Sequence, residues 1–458
     1  MSAKNQSLFC IYLLVSISLI PLFMNNKSLI ENAYIIYFFL ALVGLVACYE
    51  KDSLRNLVTP NSIIFFYFIL SFLLGSWGFS NEYILVKDNL NDFYNWQNRQ
   101  LTTSLSMLCP SLFLIVDIMH QKKYKVFSSK IIWSNHNGAY LFGALFLLPF
   151  FFIPLNLDFL GAQGDLAILP KGIAAIAVIL YLSKLKTVRR YLGYGALIVF
   201  FSTFSSDEKR EAIFLIFPII WLEVYRYDLR PSLRTYLSGF LILALIGSLI
   251  LSMSIVRGYG NFENVSGIFD ALILLPEYIG SDFFISALLV NIEATYLYFH
   301  SLNSIDMVLS DLNLLAYGSS LIKPLFIMFP RDIFPFKPDS ILELYTIAYD
   351  PAGRDLGGSW TIGLFSEFIW NFYFFGIFMV IFVAKFLCEF NIFMMRSVSS
   401  INPSKTIIYL FIFLHLFTWV RGSGLDQYVM YIMIGIFSVS PIFLIHQLFK
   451  PFFLRRKA

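Results

Sequence analysis

Apolar runs bounded by polar or charged clusters recur near residues 8 to 24, 30 to 48, 61 to 79, 101 to 119, 138 to 156, 167 to 183, 191 to 206, 211 to 226, 235 to 256, 361 to 384, 406 to 420 and 428 to 447. A membrane-crossing helix needs about 20 mostly apolar residues, and only a structure that pairs its own backbone groups tolerates hydrocarbon. The pattern therefore predicts an all-α polytopic membrane protein of about 12 transmembrane helices. The first run, from Leu8 to Met24, is followed by no small-residue cleavage site and reads as a retained span.

One interval breaks the rhythm. Residues 257–360 form a connection between the ninth and tenth runs, far longer than the usual connection of about 4 to 6 residues. Phe283, Phe284, Ile285, Leu288, Tyr296, Tyr298 and Phe299 lie within it, whereas disordered segments are poor in such residues and rich in charge. Amphipathic or re-entrant helices are expected here. The stretches 283–299 and 312–329 could each be a short span, but Asn291 and Glu293 interrupt the first and Lys323 and Pro324 the second. Without an internal repeat or linker, the chain reads as a single membrane domain, 1–458, carrying one elaborated loop.

Composition agrees: 58% of residues are hydrophobic and 14% charged, against about 25% charged in soluble domains. That leaves no room for a large soluble catalytic domain, and a net charge of +4 gives no field for nucleic acid. The four cysteines, Cys10, Cys48, Cys109 and Cys388, sit in or beside apolar runs and suggest no disulfide framework. Phosphate-binding glycine loops, HExxH and CxxC patterns are absent, and the five histidines are scattered, so no metal site is expected.

Charge placement sets the topology. With Lys4 assigned to the cytoplasm, 21 of the 33 Lys and Arg residues fall on that side and 12 on the other. Five of those 12 lie in the long connection, which the positive-inside rule does not count, so the bias over short loops is 21 to 7. Both termini are expected in the cytoplasm and the 257–360 connection outside it. Of the 29 acidic residues, 23 lie on the outer side or at outer helix ends.

Candidate chemistry gathers on that outer side. Lys209 and Arg210 precede the eighth run, where helix amides and a guanidinium together suit a phosphate or pyrophosphate; a solvated, self-paired turn is the alternative. Arg257 ends the ninth run before Gly258 and Gly260, where it could instead be an interfacial arginine that snorkels, and Arg421 ends the eleventh on the same side. In the tenth run Gly363, Glu367 and Asn371 share a helix face, and Glu367 is expected about 10 Å from the outer end of that helix. A carboxylate at such depth faces a cavity or a partner, so it is a candidate base or an arginine's partner. His300 is the only histidine of the long connection.

The segment Phe329-Pro330-Arg331-Asp332-Ile333-Phe334-Pro335-Phe336-Lys337-Pro338, followed by Gly357-Gly358-Ser359-Trp360-Thr361-Ile362-Gly363 and by Glu367 through Asn371 to Gly376, resembles the Wzy-type polymerases of bacterial O-antigen and other surface polysaccharides. The local pattern covers about fifty residues and the turn at Arg210, with Lys209 as its rival. The resemblance implies a metal-independent, cofactor-free glycosyltransferase of the GT-C class in the bacterial inner membrane, working at the periplasmic face. Its substrate would be an undecaprenyl-pyrophosphate-linked oligosaccharide drawn from the membrane lipid, with a chain-length regulator and a flippase as further candidate partners. Arg210, Arg257, Arg421, Lys209 and Arg331 would hold pyrophosphate, Glu367 would be the base and His300 its runner-up. An O-antigen ligase and a lipid-linked oligosaccharide flippase or other transporter are the alternatives. A reporter fused near Asp339 that is active only outside the cytoplasm is expected to be active; activity of the cytoplasm-only counterpart at that position would overturn the topology.

Overall fold

A computed structural model describes residues 3–49, 53–84, 92–125 except 94, 168–204 except 184, 215–227, 268–326, 334–399 and 403–437, with scattered single positions elsewhere. The helices run in order α1 (Ala3–Leu19), α2 (Asn26–Cys48), α3 (Pro60–Ser80), α4 (Arg99–Lys125), α5 (Ile168–Leu182), α6 (Thr187–Phe204), α7 (Ile216–Tyr227) and α8 (Ile268–Ile279). They continue as α9 (Phe284–Asn291), α10 (Ala294–Ser310), α11 (Ser319–Ile322), α12 (Ile341–Tyr349), α13 (Pro351–Asp355), α14 (Leu364–Phe372), α15 (Gly376–Ser399), α16 (Pro403–Thr418) and α17 (Leu425–Phe437). No strand occurs among the described residues.

Among the described residues six stretches are long and apolar enough to cross a membrane: Asn5–Phe23, Asn26–Cys48, Pro60–Ser80, Arg99–His120, Leu364–Ser397, which holds both α14 and α15, and Lys405–Ser423. The shorter apolar helices Pro170–Leu182, Ile216–Tyr225 and Leu425–Phe437 fall on other expected runs. The run at 138–156 lies wholly outside the described residues, and those at 235–256 and 428–447 lie partly outside. Phe378, Phe382 and Phe386 recur every fourth residue on α15 and are 63%, 65% and 62% exposed. An apolar stripe of that size pointing outward is a surface made for lipid.

The chain forms two compact units. The first comprises Met1–Met119, Leu229–Tyr317 and Ala348–Lys385. Within it α1 packs on α2, α2 on α3, α3 on α10, and α10 on α14. Thr59 starts α3 by accepting the Ser62 amide, with Pro60 supplying the first helical position. The same Thr59 hydroxyl donates to Asp117 Oδ2 at 2.8 Å, tying the start of α3 to the later part of α4. At the start of α4, Trp96 Nε1 donates to Asn303 at 3.0 Å and the Asn98 amide to Asp306 at 2.7 Å. Between these polar ends the core is aromatic: Phe72 meets Tyr298 edge-on at 5.7 Å and Phe79 stacks on Phe299 at 5.8 Å.

The second unit comprises His120–Asp228, Gly318–Ile347 and Phe386–Ala458. In it α5 and α7 pack on α16, and α5 on α6. Arg190 pairs with Glu223 at 3.1 Å, both buried, and Tyr194 donates to the same carboxylate at 2.9 Å. Trp221 donates to Asn391 at 3.0 Å.

Two expectations are corrected. The tenth run, 361 to 384, is not one span. It bends sharply after α14, with Tyr373 at φ 53°, and Gly376 returns against the middle of α14, where an added Cβ would lie 2.5 Å from the Phe368 carbonyl oxygen. The helix α15, 24 residues and about 36 Å long, is alone sufficient to cross. Glu367 therefore stands in the first turn of the short helix α14, about 5 Å from its start, and not 10 Å down a long one. The described part of the stretch 312–329, for which a short span was the alternative, holds the short turns Leu312–Leu314, Ser319–Ile322 and Lys323–Phe326. By contrast, 283–299 breaks where its polar residues stand, with Glu293 at φ 59° between α9 and α10. Gly376→Ala is expected to lower stability in detergent by about 1 to 3 kcal/mol, read as a drop in Tm, because the carbonyl it would strike is fixed within a helix.

Candidate functional site

In the first unit an extended segment descends from exposed Gly357 to buried Gly363 and delivers the start of α14. Gly363 and Phe365 meet Phe68 and Phe72, so α14 begins beside the middle of α3 and not at its end. Its start is held by Ser301 of α10: the Gly363 amide donates to Ser301 Oγ at 2.9 Å, and Ser366 Oγ donates to the Ser301 carbonyl at 3.0 Å. Glu367 follows at 2% exposure, and Asn371 Nδ2 donates to the Glu367 carbonyl at 2.8 Å. The sequence face of Gly363, Glu367 and Asn371 thus exists, joined by backbone contacts four residues apart.

Beside Ser301, His300 is clamped among aromatic rings. Trp360 stacks on it at 4.5 Å, Tyr296 lies parallel at 6.1 Å and Tyr349 meets it edge-on at 5.5 Å. Burial pushes the imidazole down to about 3, so at neutral pH it is uncharged and far less basic than general-base catalysis there favours. Trp360 in turn donates its indole N–H to Asp350 Oδ2 at 3.0 Å, and Asp350 Oδ1 caps α13 by accepting the Gly353 amide at 2.9 Å. The indole and the amide hold the Asp350 carboxyl below the usual carboxylate range. Tyr349 donates to Asp92 at 3.1 Å. Flat aromatic faces edged by carboxylates can stack on the apolar face of a sugar ring and accept its hydroxyls.

In the second unit Arg421 lies in a π-helical turn, Trp419–Ser423, that ends α16. Gly422 and Gly424, at φ 112° and 83°, carry the chain through a left-handed break into α17, a backbone form that costs glycine little. Breaks of this type concentrate at functional positions. The break is braced by the segment 318–347. Lys323 Nζ bridges Glu343 Oε2 at 3.2 Å and Asp426 Oδ2, in the first turn of α17, at 3.0 Å. Glu343 also closes a capping box on α12, accepting the Ser340 amide at 2.8 Å while its own amide donates to Ser340 Oγ at 3.2 Å. Partial burial opposes ionisation of Glu343, yet the Ser340 amide and the Lys323 ammonium outweigh it and hold the carboxyl at about 2.

Of the residues expected from sequence, His300 and Glu367 fall in one unit on helices that pack together, and Arg421 falls in the other. Lys209, Arg210, Arg257 and Arg331 lie outside the described residues. Among the described residues no group of three or more His, Cys, Asp or Glu side chains is placed to hold a metal ion. Sequence reasoning missed three features: the Lys323 bridge, the Trp360–Asp350 pair and the Tyr349–Asp92 pair. The first had a signal in Ser340-x-x-Glu343, a capping-box spacing.

No family model, curated protein or solved structure matches this chain.

The Lys323 bridge has an acid dependence. Glu343 is held at about 2 in the fold against an ordinary value of 4.5, so its contribution is present above about 4.5 and is lost as pH falls toward 2. Lys323→Met should lower stability at neutral pH by about 1 to 3 kcal/mol and flatten the acid limb of a Tm against pH curve; an unchanged limb would show that the bridge contributes nothing.

Proposed function

We propose that this protein is a polymerase of lipid-linked oligosaccharide repeat units, transferring a growing glycan from undecaprenyl pyrophosphate to the sugar of an incoming unit. The acceptor hydroxyl attacks the anomeric carbon, and its proton passes to Glu367. The bond from that carbon to the pyrophosphate oxygen breaks, and the departing lipid pyrophosphate gains negative charge that outer arginines stabilise. Arg421, set in a helix break, is the described member of that group; Arg210, with Lys209 as its rival, Arg257 and Arg331 are its sequence partners. Metal and cofactor have no part in the reading. The periplasmic face of a bacterial inner membrane is the expected location, following the topology.

The observation that carries the reading is the placement of Glu367: a buried carboxylate in the first turn of a short helix that starts alongside the middle of a spanning helix and is bonded there to Ser301, the sequence neighbour of the His300 on which Trp360 stacks. A base next to a surface suited to sugar rings is what glycosyl transfer asks of a protein. His300, stacked and poorly basic, fits the wall better than the base. A ligase would use the same donor and the same base, and its acceptor alone would differ.

A transporter of lipid-linked oligosaccharide is the second reading, favoured by the helix breaks at Tyr373 and Gly422, since discontinuous helices are frequent in transporters. Purified protein in detergent separates the two. A polymerase supplied with lipid-linked repeat units makes a ladder of longer glycans without any membrane to cross, and a transporter makes none. Glu367→Gln is expected to bind the donor, melt within a few degrees of the wild type and form no ladder. A fully active Glu367→Gln variant removes Glu367 as the base, and a poorly folded one assigns it to structure.

A further inference from the structure

The segment that braces the Arg421 break carries a surface with no role in the reading above. Ile322, Leu325, Phe329, Phe334 and Phe336 are exposed, Leu325 to 74% and Phe336 to 89%. Phe334 packs on both Phe326, at 5.2 Å, and Phe329, at 6.1 Å, and exposed Leu325 and Phe336 stand within two residues of these rings in the sequence. None of them belongs to a helix long enough to cross a membrane, so their exposure is not simply that of the outer side of a span. Lys337 sits at the edge of the patch, its ammonium 3.4 Å from the Phe329 carbonyl.

Height along the membrane decides what covers this patch. Lys323, two residues before Leu325, is bonded to Asp426 in the first turn of α17, and Ile341 lies 3.5 Å from the position a Gly424 Cβ would take. Both anchors stand where the candidate span Lys405–Ser423 ends. The end of a span marks the boundary between hydrocarbon and headgroups, so the patch is tied to that boundary. Apolar side chains rimmed by a lysine at this level match a bilayer surface, with rings in the acyl boundary and the ammonium among phosphates.

We propose that Leu325, Phe326, Phe329, Phe334 and Phe336 form a bilayer anchor that inserts into the leaflet at which the span Lys405–Ser423 ends, and so holds the brace over the Arg421 break against the membrane. The proposal does not depend on glycosyl transfer. It is tested on the full chain reconstituted in vesicles of phosphatidylcholine and phosphatidylglycerol, with Phe336→Cys carrying an environment-sensitive fluorophore. All four native cysteines are buried, which directs the label to the new thiol, and Leu325→Cys repeats the measurement at a second exposed position. Each variant is first shown to melt as the wild type does.

The expected result at both positions is a blue-shifted emission that loses at least half its intensity to lipids carrying a quencher just below the headgroup, at every protein-to-lipid ratio. Water-like emission without quenching overturns the proposal. A blue shift that grows with protein-to-lipid ratio overturns it in favour of a second copy on the patch. A shift that appears only when a polyprenyl phosphate is added overturns it in favour of a site for the substrate tail.

Discussion

Backbone amides and carbonyls in hydrocarbon have no water to bond, and the architecture follows from that shortage. Regular helix solves it everywhere except where a helix stops, and here two apolar helices stop inside the protein. Each stop is completed by groups from elsewhere in its own unit. At α14 the Ser301 hydroxyl accepts the Gly363 amide, Asn371 caps the Glu367 carbonyl, and the Ala316 amide from the long connection donates to the Trp370 carbonyl at 3.0 Å. At the Gly422 break the chain resumes when the Tyr428 amide finds the Gly424 carbonyl at 3.3 Å, and Lys323 and Ile341 close over the turn. Residues of the long connection therefore complete both breaks, whose polar groups would otherwise be left bare.

The same shortage sorts the charges. A buried ion is tolerated where a partner and further hydrogen bonds meet it, and the described ion pairs all have such company. Glu223 accepts from Arg190 and from Tyr194, while Glu343 accepts from Lys323 and from the Ser340 amide and hydroxyl. The buried Asp117 carboxyl likewise gathers Thr59, and among neutral groups the Asn303 amide oxygen receives Trp96. Between those ends the first unit is filled by rings, among them Tyr37, Phe72, Tyr298 and Phe365. In the first unit the start of α14 interrupts that aromatic filling and brings buried Glu367 beside the middle of α3.

Hydropathy made the helical class and the helices α1 to α4 and α16 legible, since a run of apolar residues is both the cause and the signal of a span. The interruption at Asn291 and Glu293 was legible for the same reason, polar residues being costly inside such a run. The corner at Gly376 was not. It depends on a contact between residues eight apart that a window average cannot register, and Phe374, Phe375 and Phe378 around it are as apolar as any span. The place of Glu367 along its own helix was misjudged with it, although α14 starts beside the middle of α3. The Trp360–Asp350 and Tyr349–Asp92 pairs were hidden because their spacings follow no helical or strand period. Lys323 read as an interruption, whereas its stem lies against the protein and its ammonium serves two carboxylates.

The way these breaks are completed bears on what they do. A transporter has to reopen its discontinuous helices as it alternates, so the groups that satisfy the breaks should be water or weakly held side chains. In this chain the bonds are direct and partly ionic: Ala316 to Trp370 and Ser301 to Gly363 at one break, Lys323 to Asp426 at the other. Opening either would strip a backbone carbonyl or a half-buried ion of its partner in low dielectric, at a cost of about 1 to 3 kcal/mol for each group left unsatisfied. The proposed transferase would gain from that same rigidity, since polar groups already held in place need no reorganisation when charge develops. The breaks by themselves fit either class of protein, and the bonds that close them favour the one whose site stays still.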